Sequence, residues 1–100
     1  MSGKAQSDGR MILESIPRKG PLTASRVMDG EAVVFLPGKG QVRILNKLGT
    51  AVWGLVDGER TVSEIAEEIC KKYDVEREVA ERDALEFLKA LQDKELVECL

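Results

Sequence analysis

The sequence predicts an α+β fold in which a three-stranded antiparallel meander precedes a three-helix bundle, an arrangement like that of a winged helix. Short apolar–polar alternations separated by Gly- and Pro-containing turns fill residues 25–45, which is the pattern of strands in consecutive hairpins. After residue 45 the apolar side chains recur at helical spacing, up to about residue 94. The chain of 100 residues has the length of one domain.

The N-terminal segment, residues 1–22, is predicted to be a flexible tail, and residues 23–100 the folded domain. Apart from residues 11–13, its first part is polar, and Pro17, Gly20 and Pro21 interrupt any regular element that follows. It contains no apolar stretch typical of a secretory signal. No part of the chain reaches the ~20 apolar residues of a membrane span. We therefore expect neither export nor membrane insertion.

Two strands form the first predicted hairpin. They cover residues 25–28 and 31–36, and the Asp29-Gly30 pair between them is typical of a two-residue hairpin turn. The following Pro-Gly-Lys-Gly, residues 37–40, cannot continue a strand and supplies the second turn.

A third strand, residues 41–45, is predicted after that turn. It places Val42 and Ile44 on one face and Arg43 on the other, because side chains alternate along a strand. As the last strand of the meander it leaves a free edge, to which a peptide could add as a further strand. Arg43 and Lys39 would discourage self-pairing and attract an acidic peptide. The alternative, a short charged edge without a ligand, stays open.

Three helices are predicted in the second half of the chain. Asn46 is a favourable N-cap for a short helix with apolar residues between 48 and 55. Thr61 and Glu64 have the spacing of a capping box that begins the second helix. The third and longest helix runs from about residue 76 to 94, with a predicted buried stripe of Ala80, Ala84, Phe87, Leu88 and Leu91.

The residue inventory argues against catalysis. The chain has no histidine, the commonest general base and metal ligand, and no known catalytic motif. Cys70 and Cys99 have neither metal-like nor redox-like spacing, and free thiols indicate a reducing, cytoplasmic setting. We expect a binding module rather than an enzyme, without a metal or other cofactor.

Charge is divided between the two halves of the chain. Residues 1–56 carry a net charge of +4 and residues 57–100 a net charge of −7. A helix–turn–helix pattern suggests nucleic acid, but the third helix, which would enter the groove, is rich in acidic residues that repel phosphates. The charge therefore argues against DNA binding.

Two apolar residues of the helices invite a functional interpretation. Leu85 lies away from the predicted stripe of the third helix, among charged residues, and is either an incidental surface leucine or the floor of a shallow groove. Trp53 follows Gly49 by four residues, so its ring is expected to lie over the glycine backbone in a structural role.

Residues 45–58, LNKLGTAVWGLVDG, resemble the LN-x-x-(G/A)-x-x-I/V-W-x-L-x-DG signature of the pyrroloquinoline quinone biosynthesis protein D family. The resemblance continues through residues 60–66 and the acidic third helix, and covers Arg26 to Val97. In one departure, Glu95 stands where the family usually has Gly before its C-terminal apolar pair, so the third helix is expected to end differently.

The resemblance implies a RiPP recognition element, which binds the leader of a ribosomally made precursor peptide and presents it to a modifying enzyme, often a radical SAM protein. The leader would add to the third strand beside the third helix. Carried across, the peptide-binding residues are Gln41, Val42, Arg43, Ile44, Leu45, Arg82, Leu85, Glu86 and Lys89. The other functions that stay open are a winged-helix nucleic-acid-binding protein and an accessory subunit that binds a folded protein.

Overall fold

A computed structural model of the chain describes residues 10–99. In this range two small sheets and three helices follow one another in the order β1 (Pro17–Lys19), β2 (Ala24–Met28), β3 (Glu31–Leu36), β4 (Gln41–Ile44), α1 (Lys47–Gly54), α2 (Val62–Tyr73), α3 (Arg77–Asp93) and β5 (Val97–Cys99). The predicted α+β fold, a three-stranded antiparallel sheet of order β2-β3-β4 with three helices, is confirmed.

The meander buries one of its faces. Ala32, Val34 and Leu36 on β3 are buried, whereas Val33 and Phe35 between them are only partly buried. The alternation follows from the period of two along a strand. The helices therefore cover the Val34 side of the sheet, which we call the inner face, and leave the opposite outer face uncovered.

The strand β4 is one residue shorter than predicted because a side chain ends its ladder. Leu45 still donates its N–H to the Ala32 carbonyl, but the Ala32 N–H bonds the Thr50 hydroxyl instead of the Leu45 carbonyl, at 2.8 Å. The same hydroxyl donates to the Leu45 carbonyl at 3.3 Å. Thr50 thus satisfies both backbone groups at the point where the chain turns into α1.

The helix starts follow from their capping residues. Asn46 accepts from the Gly49 N–H at 2.8 Å, and both reciprocal bonds of the Thr61–Glu64 capping box are present. Both predicted caps are confirmed. On α3 the predicted stripe is buried at Ala80, Ala84, Leu88 and Leu91, while Phe87 is partly buried.

The described part of the predicted tail, residues 10–22, belongs to the folded domain. Met11 has only 1% of its surface exposed, and β1 pairs antiparallel with β5 in a sheet that the sequence did not predict. Ser15 and Leu13 accept from the N–H groups of Val62 and Ser63 at the start of α2. The tail was predicted from its polar composition, which does not reveal a few apolar anchors and long-range backbone pairing. Residues 1–9, the rest of that prediction, lie outside the described range.

The end of α3 uses a non-glycine residue in the left-handed region. Glu95 has φ 64°, its N–H bonds the Gln92 carbonyl, and the Leu96 N–H bonds the Leu91 carbonyl. These two bonds form a Schellman motif. Leu91 and Leu96 are fully buried, so their contact holds the terminus although glycine is missing. None of the described helices has both the length and the apolar character needed to cross a membrane.

Candidate functional site

The edge strand β4 offers unused backbone groups. Arg43 pairs with Val34 and, two residues on, the Leu45 N–H bonds the Ala32 carbonyl. Because hydrogen-bonding positions alternate along an antiparallel strand, the N–H and C=O groups of Val42 and Ile44 point away from β3. Within residues 10–99 no strand pairs with this edge. It can therefore accept an added strand.

Side chains of β4 lie on two faces with different character. Val42 and Ile44 share the outer face with their cross-strand partners Phe35 and Val33, and 60% and 71% of their surfaces are exposed. Arg43 shares the inner face with buried Val34 and is itself half-buried. The predicted alternation is confirmed. Because of this alternation, the side chains of Val42 and Ile44 lie on the face opposite to the one that the helices cover.

An apolar pocket opens beyond the end of β4, between α1 and α3. It has a volume of about 160 Å³, and its lining includes Asn46, Leu48, Val79, Asp83 and Phe87. Its exposed surface is predominantly apolar. A cavity of this size accommodates a group about as large as benzene, so a single apolar side chain fits.

The pocket depends on a glycine. A Cβ added at Gly49 would lie 3.1 Å from Phe87 Cε1 and 3.2 Å from Asn46 Oδ1, so the Phe87 ring lies against bare α1 backbone. The sequence suggested that the Trp53 ring lies over Gly49, but the ring that does so is that of Phe87. Trp53 is instead buried, donates from Nε1 to the Ser25 hydroxyl at 3.4 Å and has Lys19 Nζ 4.8 Å from its ring centroid. Its predicted structural role agrees with this position.

The α3 residues predicted for the site lie apart from this pocket. Arg82, Leu85, Glu86 and Lys89 do not line it. Leu85 is partly buried and packs against the core, whereas the sequence placed it outside the buried stripe. Leu85 and Phe87 are separated by about 160° around the helix, so their side chains cannot both face the same groove. The peptide-binding role of these four residues stays a prediction.

Sequence reasoning missed Leu48, Val79 and Phe87 as site residues because it assigned apolar residues at helical spacing to the core. The only signal was Gly49 inside a helix, where glycine is unfavourable unless a neighbour needs the space. For Gln41 only its place at the start of β4 is described.

Other chemistry finds little support in the described residues. Between residues 10 and 99, no three His, Cys, Asp or Glu side chains are grouped so as to hold a metal ion. Neither Cys70 nor Cys99 forms a disulfide.

Comparison with solved structures finds the same fold in several proteins, two of which were solved in complex with a leader peptide. TbiB1 in complex with the TbiA(beta) leader peptide is 32% identical, with a TM-score of 0.74 over 80% of this chain and 93% of TbiB1. The PqqD truncation of Methylobacterium extorquens PqqCD, described as a functional, stand-alone RiPP recognition element, is 27% identical, with a TM-score of 0.76 over 93% of this chain and 99% of its own.

A lasso peptide synthetase B1 complexed with its leader peptide is 21% identical, with a TM-score of 0.72 over 85% of this chain and 98% of its own, and supports the fold alone. A comparison with curated proteins gave no significant match. The profile of the family described as coenzyme PQQ synthesis protein D matches residues 31–97. The chain therefore belongs to the coenzyme PQQ synthesis protein D (PqqD) family.

Proposed function

We propose that this protein binds the leader segment of a ribosomally made precursor peptide and presents it to a modifying enzyme. The observation that carries the proposal is the edge of β4, with which no described strand pairs, and which ends two residues before Asn46 at the mouth of an apolar pocket. A peptide strand on β4 would reach the pocket at one end. TbiB1, which has this fold, has been solved with a leader peptide bound.

Affinity would come first from the backbone. A strand added to β4 can bond the N–H and C=O groups of Val42 and Ile44, which makes four hydrogen bonds available without regard to peptide sequence. Strand addition commonly derives affinity from such bonds and specificity from pockets for alternate side chains.

Specificity would come partly from the α1–α3 pocket. An apolar leader side chain would pack against Leu48, Val79 and Phe87. Burying one such side chain contributes about 1.5–3 kcal/mol, or about ten- to a hundred-fold in affinity.

The chemistry would belong to a partner enzyme, for which radical SAM proteins are one candidate class. The protein would then act without a cofactor of its own, by holding the leader while the remainder of the precursor reaches the enzyme. We propose a reducing compartment such as the cytoplasm as its place of work.

A titration of the ¹⁵N-labelled protein tests the proposal. The probe is the synthetic N-terminal segment of a short precursor-like reading frame identified beside its gene. We expect amide shifts concentrated at Val42, Ile44 and the residues lining the pocket. Shifts confined to the β1–β5 sheet, or binding only to folded proteins, would contradict leader recognition at β4 and favour an accessory subunit.

Two proline variants separate edge pairing from stability. Ile44→Pro removes an N–H that points to the free edge, and edge strands tolerate proline. Val27→Pro is the matched control, because the same alternation directs its N–H to the opposite edge of the sheet and 61% of its surface is exposed. We expect Ile44→Pro to abolish leader binding and Val27→Pro to retain it, with similar losses of stability by urea denaturation.

A further pair of variants tests the pocket. Leu48, with 37% of its surface exposed, lines it, whereas Leu22, 72% exposed, lies outside it. Leu48→Asp is expected to weaken leader binding at least ten-fold, because it removes apolar contact of the size estimated above for one buried side chain. Leu22→Asp is expected to change the affinity by less than two-fold. Equal effects of the two variants would remove the pocket from the site.

A further inference from the structure

We infer that the peptide segment recognised by β4 has the pattern apolar–acidic–apolar, with its central carboxylate bound by Arg43. The inference rests on the proposed strand addition and names the chemistry that the added strand must present. It follows from three consecutive residues, Val42, Arg43 and Ile44, whose side chains lie on alternate faces of the sheet.

The two flanking positions meet apolar surface. Directly opposite residues of paired strands place their side chains on the same face and in contact. Peptide residues opposite Val42 and Ile44 would therefore lie on the outer face, where rows of apolar side chains continue to Phe35 and Val33. Since Val42 and Ile44 are 60% and 71% exposed, apolar partners would bury much of this surface, whereas polar partners would not.

The central position meets a cation that has no counter-ion in the described part of the chain. Arg43 is half-buried beside fully buried Val34, and it forms no ion pair with the carboxylates of residues 10–99. By contrast Arg18 and Arg60 each contact a carboxylate, at 2.9 Å and 2.6 Å. A carboxylate opposite Arg43 would lie on the same inner face and could form charge-assisted hydrogen bonds to the guanidinium, which are stronger than neutral ones.

The position of the acidic residue is fixed relative to the pocket. Asp83 lines the pocket, and its carboxylate disfavours a second negative charge there. Arg82 is already paired with Asp83, with 3.5 Å between its Nε and Asp83 Oδ1, and Lys89 does not line the pocket, so neither offers a positive charge to a peptide carboxylate at that position. The peptide is therefore expected to carry its acidic residue opposite Arg43 and an apolar residue at the pocket end.

Peptide display tests the pattern. A random dodecapeptide phage library is selected in parallel on the wild-type protein, Arg43→Glu and Arg26→Glu. Arg26 is the matched control, because it is an exposed arginine on the opposite edge strand and its side chain lies on the outer face with Val33. We expect the wild type and Arg26→Glu to enrich Asp or Glu between two apolar residues, and Arg43→Glu to enrich Lys or Arg at that central position.

Synthetic peptides make the result quantitative. Replacing the central acid of one enriched peptide by Lys should weaken its binding to the wild type at least ten-fold, and Arg43→Glu should restore binding. Each peptide is also measured against Ile44→Pro, to show that it binds at β4.

The outcomes distinguish the two proposals. Peptides that need the β4 edge but show no central acidic preference, or the same preference with Arg43→Glu, would overturn this inference and leave strand addition intact. Selected peptides that bind Ile44→Pro as well as the wild type would refute strand addition itself, and the inference with it.

Discussion

Phe87 on α3 lies against the backbone of Gly49 on α1, so closely that a methyl group at Gly49 would come within 3.1 Å of the ring edge. The same ring is a wall of the α1–α3 pocket. A residue without a side chain thus determines where the phenyl ring lies and how wide the pocket is.

Gly49→Ala is expected to reduce leader affinity several-fold. The added Cβ pushes Phe87 and the Asn46 cap outward by a few tenths of an ångström, which costs about 1–3 kcal/mol, while alanine returns about 1 kcal/mol of helix propensity. Net destabilisation of about 1 kcal/mol should appear in urea denaturation, and isothermal titration should report the lost affinity. Unchanged affinity would show that the leader does not use the Phe87 side of the pocket.

Leu85→Asp should lower stability rather than specifically impair binding. The side chain is partly buried against the core, so the substitution loses apolar burial and brings a charge towards it, at a cost of about 2 kcal/mol. Thermal unfolding measures this loss, and Leu22→Asp, at a residue 72% exposed, serves as the control with a change within about 0.5 kcal/mol. A variant of normal stability with abolished leader binding would instead return Leu85 to the site.

Thr50→Val removes the hydroxyl that joins the start of β3 to the end of β4. The Ala32 N–H, which that hydroxyl accepts at 2.8 Å, would lose its partner, and such a loss costs about 1–3 kcal/mol. Thr50→Ser keeps the hydroxyl and is expected to retain most of the stability. Faster hydrogen exchange of the Ala32 amide in Thr50→Val would locate the defect; equal stability of the Val and Ser variants would contradict this account.

Glu95→Gly is expected to stabilise the protein by about 1 kcal/mol. The left-handed conformation at φ 64° costs a residue with a Cβ about 1–2 kcal/mol, and glycine avoids this cost. Part of the gain is lost because glycine has greater conformational freedom in the unfolded chain. The ion pair lost with it, Glu95 to Lys39 at 3.9 Å, is highly exposed and contributes little. Thermal denaturation measures the change. A lower melting temperature would show that Glu95 contributes more than its conformation costs.

Stability should fall in acid partly through Asp57. The backbone N–H of Glu59, then that of Arg60, hydrogen-bond its carboxylate and lower its pKa below the ordinary value of 3.8. Because the pKa is lowered by folding, the stabilisation is fully present above pH 3.8 and is lost as the pH falls through the lower, folded value. The difference in melting temperature between the wild type and Asp57→Asn should therefore shrink below pH 3.8; a constant difference down to pH 2 would contradict this.

Local patterns in the sequence predicted much of the fold correctly. The caps at Asn46 and Thr61 use side chains within three residues of the groups they bond, so their signatures are readable from the sequence. The β1–β5 sheet was missed because Pro17 pairs with Cys99, at the other end of the chain, and nothing in either three-residue segment specifies the other.

The sequence by itself determined the alternation along β4, the helix starts and the division of charge, because each depends on residues close together in the chain. Only the tertiary structure decided which features can act together. It placed Val42 and Ile44 on the outer face, Arg43 on the inner face without a counter-ion among residues 10–99, and Phe87 rather than Leu85 beside the pocket. The physical reason is that helical spacing identifies the apolar stripe of α3 but not the element that covers each part of it, which long-range packing against α1, α2 and the sheet determines.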